Sequence, residues 1–279
     1  MRNVLGLMLV LLAAPLSAGE AAPVFEFLGV GGFTKFETTH FEIFSKNGKD
    51  AVVNKAAEEI FLEVSRLVPG LKEKILPPCN KGQIYLVDTS AYNHIIDAMI
   101  QNACANSKDE KAKDGFRKSG AVTKTTGGTS MNKGRIYVLN RQAFLQKEPV
   151  LPIFLAHSFG QSLLQLEADV ALPFWLIAGF GYYLEFKLHG QSVTRLVNYD
   201  AYTDKNEEMK AFASGKGWAQ ATKSWAAREK KLEALPLFSV TVGTLTPEKA
   251  ACLYALVSYL AEREKAFAAL IKSFKKKPG

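Results

Sequence analysis

Apolar and polar residues follow two different periods along this chain. Thr38 to Ser45 (TTHFEIFS) alternates residue by residue, the period of a strand with one buried face, after an apolar lead-in over Phe25 to Phe36. Asp50 to Leu67 carries apolar side chains at helical spacing, with Gly70 beyond its end. Gln83 to Val87 is a short apolar run between turn residues and predicts a buried strand, and Ala91 to Ala105 predicts a second helix. From Asn106 to Gly134 the residues are polar, with Lys and Gly throughout, which predicts a solvated helix end and a long loop. Arg135 to Asn140 (RIYVLN) predicts a third strand.

The pattern then changes. Pro149 to Leu166 holds no charged side chain, and neither does Val170 to Leu184. The first is long enough to cross a membrane, but His157, Ser158, Gln161, Ser162 and Gln165 fall on one helical stripe opposite Leu151, Leu155, Phe159, Leu163 and Leu166. A helix with a broad apolar face and an uncharged polar stripe reads as a buried core helix lining a cleft. The second segment opens at Pro173 and carries Trp175, Ala178, Tyr182 and Glu185 on one face; with the first it forms a helical hairpin. Gln191 to Lys231 is polar, with Trp218 and Trp225 as packing anchors. Thr246-Pro247 then caps a helix through Cys252 to Leu260, and a last amphipathic helix ends in Lys275-Lys276-Lys277. The fold class expected is α+β: a small mixed sheet with helices over residues 23–170, then a mainly helical part over 171–279, the two forming one continuous domain.

Composition narrows the class. The chain has 279 residues, 48% hydrophobic and 22% charged, so disordered and disulfide-scaffold classes are excluded. The net charge of +8 is spread along the chain and selects no partner; the lysine run reads as a solvated helix end, not a nucleic-acid site. Arg2, the apolar run Val4 to Leu12 and the small residues before Ala22 read as a signal peptide over residues 1–22. An exported, periplasmic or secreted protein is expected, with membrane contact only if that segment is retained as an anchor. Cys79 follows a Pro-Pro pair before a strand and Cys104 ends a helix soon after, which makes these two the disulfide candidates.

His157-Ser158-Phe159-Gly160-Gln161 occupies the place of an H-E-x-x-H motif, in which two imidazoles at i and i+4 bind one metal and the Glu activates its water. FLAHSFGQSLLQ resembles the active-site helix of gluzincin metallopeptidases, the peptidase MA-like group. LPFWLIAGFGYYLE resembles their second helix, with Leu172-Pro173, Trp175, Gly179 and Tyr182-Tyr183 matching and Ala178 at the place of the third-ligand Glu. The resemblance is strongest over residues 135–188 and implies a zincin-like domain.

The departures carry as much weight. Ser158 replaces the general base, Gln161 the second His and Ala178 the third ligand, so only His157 keeps a ligand identity. Catalytic zinc needs three protein ligands and an open position. The expectation is therefore a catalytically inactive relative that has lost zinc, needs no cofactor, and acts by binding or as a structural component. The alternatives are a hydrolase that has repurposed the cleft without zinc, and a weakly metal-binding relative. Glu167 and Glu185 are expected at the surface or the cleft rim, and His157 is expected to bond Gln161 or Tyr182. In zincins the strand before the active-site helix is a sheet edge that pairs with extended peptide. The resemblance puts residues 135–140 there, with Ile136, Val138, Gln165, Trp175 and Tyr182 as candidates for contact with a peptide or protein partner. Ser130-x-x-Lys133 and Ser273-x-x-Lys276 both match one catalytic serine pattern without its partner motifs, and GVGG at 29–32 lacks dinucleotide spacing. Peptide mapping of the mature protein under non-reducing conditions should recover Cys79 linked to Cys104. A bridge that contains Cys252 would overturn that assignment.

Overall fold

The computed structural model describes residues 30–78, 80–192, 218, 235–241 and 244–275. Strands β1 (Thr34–Glu37) and β2 (Phe41–Ser45) lead into α1 (Ala51–Leu67). Strand β3 (Gly82–Val87) is followed by helices α2 (Thr89–Ala105) and α3 (Glu110–Thr126), then by β4 (Gly128–Met131) and β5 (Ile136–Asn140). Helices α4 (Leu151–Ala168), α5 (Phe174–His189), α6 (Pro247–Ala261) and α7 (Glu264–Lys275) complete an α+β fold. The sheet order is β1-β2-β3-β5-β4, in which β2, β3 and β5 run parallel and both outer strands are antiparallel.

Alternation along each strand sends side chains to two cores. Phe41, Ile43, Ile84, Leu86, Tyr137 and Leu139 meet α1 and α4 on one face, and that core continues without a break into α5, α6 and α7. Tyr85, Val87, Ile136 and Val138 meet Tyr92, Ile95 and Ile96 of α2 on the other. The described residues before and after position 170 thus share one core. Asp50 and Asp88, each directly after a strand loop, cap α1 and α2 by accepting backbone N–H bonds, from Val52 and Val53 and from Ala91 respectively. Among the described residues no helix is long and apolar enough to cross a membrane. The signal-like segment, Cys79 and Trp225 lie outside the described residues. Cys104 is a free cysteine, its thiol 3.8 Å from the Lys113 carbonyl, so the structure does not hold it in the expected disulfide, and Cys252 is buried.

Three expectations are corrected. Residues 106–134 are not a loop: they hold α3 and β4. The glycines that read as loop signals serve packing and capping. A Cβ on Gly120 would fall 2.0 Å from Ile100 Cδ1 of α2, so this glycine lets the two helices touch, while Gly127 ends α3 at φ 83°. Residues 135–140 are not the sheet edge either, because β4 pairs with β5 on its outer side; Ile136 and Val138 are fully buried between neighbours. Third, Glu167 and Glu185 are not surface groups. Glu167 is buried and its carboxylate lies 2.6 Å from the Lys275 ammonium, and Glu185 has no exposed surface.

The β4–β5 connection holds the sheet edge against α4. Asn132, Lys133 and Gly134 all have positive φ, and a Cβ at Gly134 (φ 98°) would lie 2.1 Å from the Ser162 carbonyl oxygen. Gly48 has a similar φ of 87° but nothing within 4 Å. Gly48→Ala should therefore lose only backbone strain, about 1–2 kcal/mol. Gly134→Ala should add overlap with α4 for a total of about 3 kcal/mol or more. Urea unfolding measures both, and equal losses would show that the turn can move off Ser162.

Candidate functional site

Helix α4 (Leu151–Ala168) is uncharged from its first-turn proline up to Leu166, with Glu167 as its one acidic residue, and it is buried because nearly every face meets another element. Helix α5 starts after Pro173 and stops at Gly190 (φ 69°). Between the two helices lies a small polar cluster. The Gln161 amide nitrogen stands 2.9 Å from His157 Nε2 and 3.0 Å from the Ile177 carbonyl oxygen. An amide NH2 has two protons and no acceptor site, so both are given away and His157 Nε2 accepts one of them. In the neutral ring the proton then sits on Nδ1, which faces Glu185 Oε1 at 3.5 Å. The Ser192 hydroxyl donates to the other oxygen of Glu185. Tyr182 closes the cluster, its ring edge-on to His157 at 4.9 Å and backed by Trp218 at 5.0 Å. Burial, and secondarily the Glu185 charge, pushes the Tyr182 hydroxyl well above the ordinary phenol range.

The close approach depends on Gly181. A Cβ there would fall 2.7 Å from His157 Nδ1, from His157 Cε1 and from Gln161 Nε2. Gly181 is thus the residue that stands opposite the two motif positions. Ala178, assigned to that place by resemblance, lies nearly one turn earlier with its side chain in the main core. Ser158 separates from the cluster altogether. Its hydroxyl donates to the Phe154 carbonyl at 2.9 Å, so the Tyr137 hydroxyl, 2.5 Å away, is the donor to Ser158 Oγ. Gln165 donates to the Val170 carbonyl and holds the α4–α5 turn, while Trp175 packs on Phe238 at 5.0 Å. Of the residues the sequence nominates, the fold unites His157, Gln161 and Tyr182. It sets Ser158, Gln165, Trp175, Ile136 and Val138 to other tasks. Gly181 was missed as a member, and Glu185, expected at the surface or the cleft rim, is a fully buried member. The available signal was a glycine and a carboxylate four apart, the carboxylate being the first charge in the helix.

These residues do not fit a catalytic zinc ion. His157 Nε2 already accepts the Gln161 amide, that amide presents N–H groups toward the ring, and Gly181 brings no ligand atom. Among the described residues no three His, Cys, Asp or Glu side chains gather as a metal-binding group. His40 is engaged elsewhere, its Nδ1 2.6 Å from Glu58 Oε2. Comparison of the chain with protein-family models, with curated proteins and with solved structures finds no match.

Helix propensity alone would make Gly181→Ala stabilising by about 1 kcal/mol. The overlap with His157 should reverse that sign, with a net loss of about 1–3 kcal/mol. In a His157→Ala background the same change should become neutral or stabilising. A double-mutant cycle by thermal unfolding measures this, and a loss that persists without the imidazole would place the clash elsewhere.

Proposed function

We propose that this chain is an exported, catalytically inactive relative of the gluzincin metallopeptidases that acts by binding extended peptide. One observation carries the inactive reading: the Gln161 amide donates to His157 Nε2, the nitrogen a metal at this helix would use. Supporting the zincin-like assignment are the mixed sheet with an antiparallel outer strand, the buried helix that follows it, and the hairpin of α4 and α5. In place of a water-activating carboxylate stands Ser158, whose proton is committed to a backbone carbonyl.

Peptide binding moves from the strand first expected to its outer neighbour. In the β4–β5 ladder Gly127 and Asn140 form a hydrogen-bonded pair, the Asn140 N–H lying 2.8 Å from the Gly127 carbonyl. With Thr129 opposite Val138 and Met131 opposite Ile136, alternation turns the N–H and C=O of Gly128 and Ser130 away from β5. The sheet face at Gly128, perpendicular to those groups, is covered by Phe154, which a Cβ on Gly128 would approach to 3.1 Å. Backbone pairing at such an edge needs neither metal nor base.

Purified mature protein should contain no stoichiometric zinc and leave casein uncut. About one zinc per chain, lost on His157→Ala, would overturn the inactive reading. A library of extended peptides should yield binders that Ser130→Pro weakens by roughly three- to tenfold, the loss of one backbone donor. That proline leaves the ladder to β5 intact because the Ser130 N–H faces outward. Absence of binders, or binding indifferent to the proline, would overturn the edge-strand reading.

A further inference from the structure

The carboxyl ends of the three parallel strands open onto a cavity of about 630 Å³. The topology creates it. From β2 the chain turns onto one face of the sheet as α1, and from β3 it turns onto the other as α2. Where successive crossovers go to opposite faces, the helix starts diverge and leave a crevice at the strand ends, the usual ligand position in open α/β sheets. The volume falls within the range of small-molecule sites.

The lining charges are arranged unequally. Asp50 and Asp88 are committed to the N–H groups at the starts of α1 and α2, where each faces the positive pole of a helix. Asp50 also accepts from Arg141 Nε at 2.6 Å. Arg141 Nη2 donates to Glu148, and Arg141 Nη1 has no hydrogen-bond partner. The two carboxylates on Arg141 differ in character. Asp50 is 13% exposed and fixed by its cap, whereas Glu148 is 43% exposed and sits on a short 3-10 turn with no other bond. Lys46 and Lys49 line the same cavity and make no ion pair among the described residues; Lys46 lies over the Phe33 ring at 5.6 Å. Val52 and Leu145 supply an exposed apolar wall.

We infer that this cavity binds a small organic anion, whose carboxylate or phosphate takes the place of Glu148 on Arg141 while its apolar part lies against Val52 and Leu145. Glu148 is then an internal stand-in for the ligand's charged group. When it swings out, three cations and two helix starts face the ligand against two capping aspartates. An arginine fork held by a fixed carboxylate on one side matches a planar or tetrahedral oxyanion on the other. This site is separate from the α4–α5 cluster and stands whether or not peptide binds at β4.

Titration of the mature chain with succinate and, separately, with inorganic phosphate, followed by backbone amide NMR, tests the inference. Saturable shifts should concentrate at Lys46 to Asp50, Asp88 and Arg141 to Gln142; saturation by one probe alone identifies the carboxylate or the phosphoryl class. Glu148→Gln removes the competitor and should tighten binding about two- to fivefold, and Lys46→Ala with Lys49→Ala should weaken it by a similar factor. Neither lysine is buried, and Glu148 caps no helix, so these variants should fold. No saturable shift in either wild type or Glu148→Gln would overturn the inference. So would shifts unchanged by the double lysine substitution.

Discussion

Everything else in this fold is arranged around the burial of helix α4 on nearly all its faces. Leu155, Ala156, Phe159, Leu163 and Leu164 are sealed from solvent, which requires the sheet, α1 and α5 to approach together. Glycines permit that approach at three points. Gly134 meets the Ser162 carbonyl, Gly181 meets His157, and Gly160 is so close to α5 that a Cβ would lie 2.1 Å from Leu184 Cδ1. Close packing on this scale loses dispersion contacts at any void and strains at any added methyl. The interaxial gaps around α4 are therefore set by missing side chains as much as by the apolar ones present.

A helix buried this deeply must satisfy its polar side chains locally, and that requirement decides what chemistry survives. Ser158 and Ser162 bond back to carbonyls four residues earlier, Gln161 bridges His157 and Ile177, and Gln165 ties down the turn. An unpaired buried donor costs about 1–3 kcal/mol, so each of these groups contributes most when it stays where it is. A metal or an attacking water would have to displace bonds that hold α4 to α5. The polar stripe that reads as a cleft lining in the sequence is a set of fasteners in the structure.

Much of this architecture is visible in the one-dimensional pattern, and the failures have physical causes. The strand and helix periods identify β2, α1, β3, α2, β5, α4 and α5, because each has one face or all faces in a core. Helix α3 escapes because it is mostly solvated and polar, so it has no apolar stripe to announce it, and its glycines mimic a loop. Strand β4 escapes because four residues at a half-exposed edge carry too little alternation, and with it went the identity of the sheet edge. The His157–Gln161 bond is legible, since residues four apart on a helix share a face. Its partners across the interface are not, because the register of α5 on α4 follows from glycine contacts that no spacing rule encodes; hence Ala178 in place of Gly181.

The two regions of interest obey opposite constraints. In the α4–α5 cluster the side chains that resemble catalytic groups also hold the core, so a substitution that restored reactivity there would remove packing or a satisfied hydrogen bond. At the strand ends the helices are capped by Asp50 and Asp88 before any ligand arrives, and the remaining cations and the Glu148 carboxylate carry no part of the core. Loops at the ends of a rigid sheet can change without repacking it. Side chains at the strand ends are therefore freer to vary than the polar side chains of α4, which fasten the core. Asp50 is in contact with both requirements, since it starts the helix that backs α4 and fixes the arginine that faces the cavity. Through Asp50 the geometry of that cavity follows the position of α1, and through α1 it follows the packing of α4.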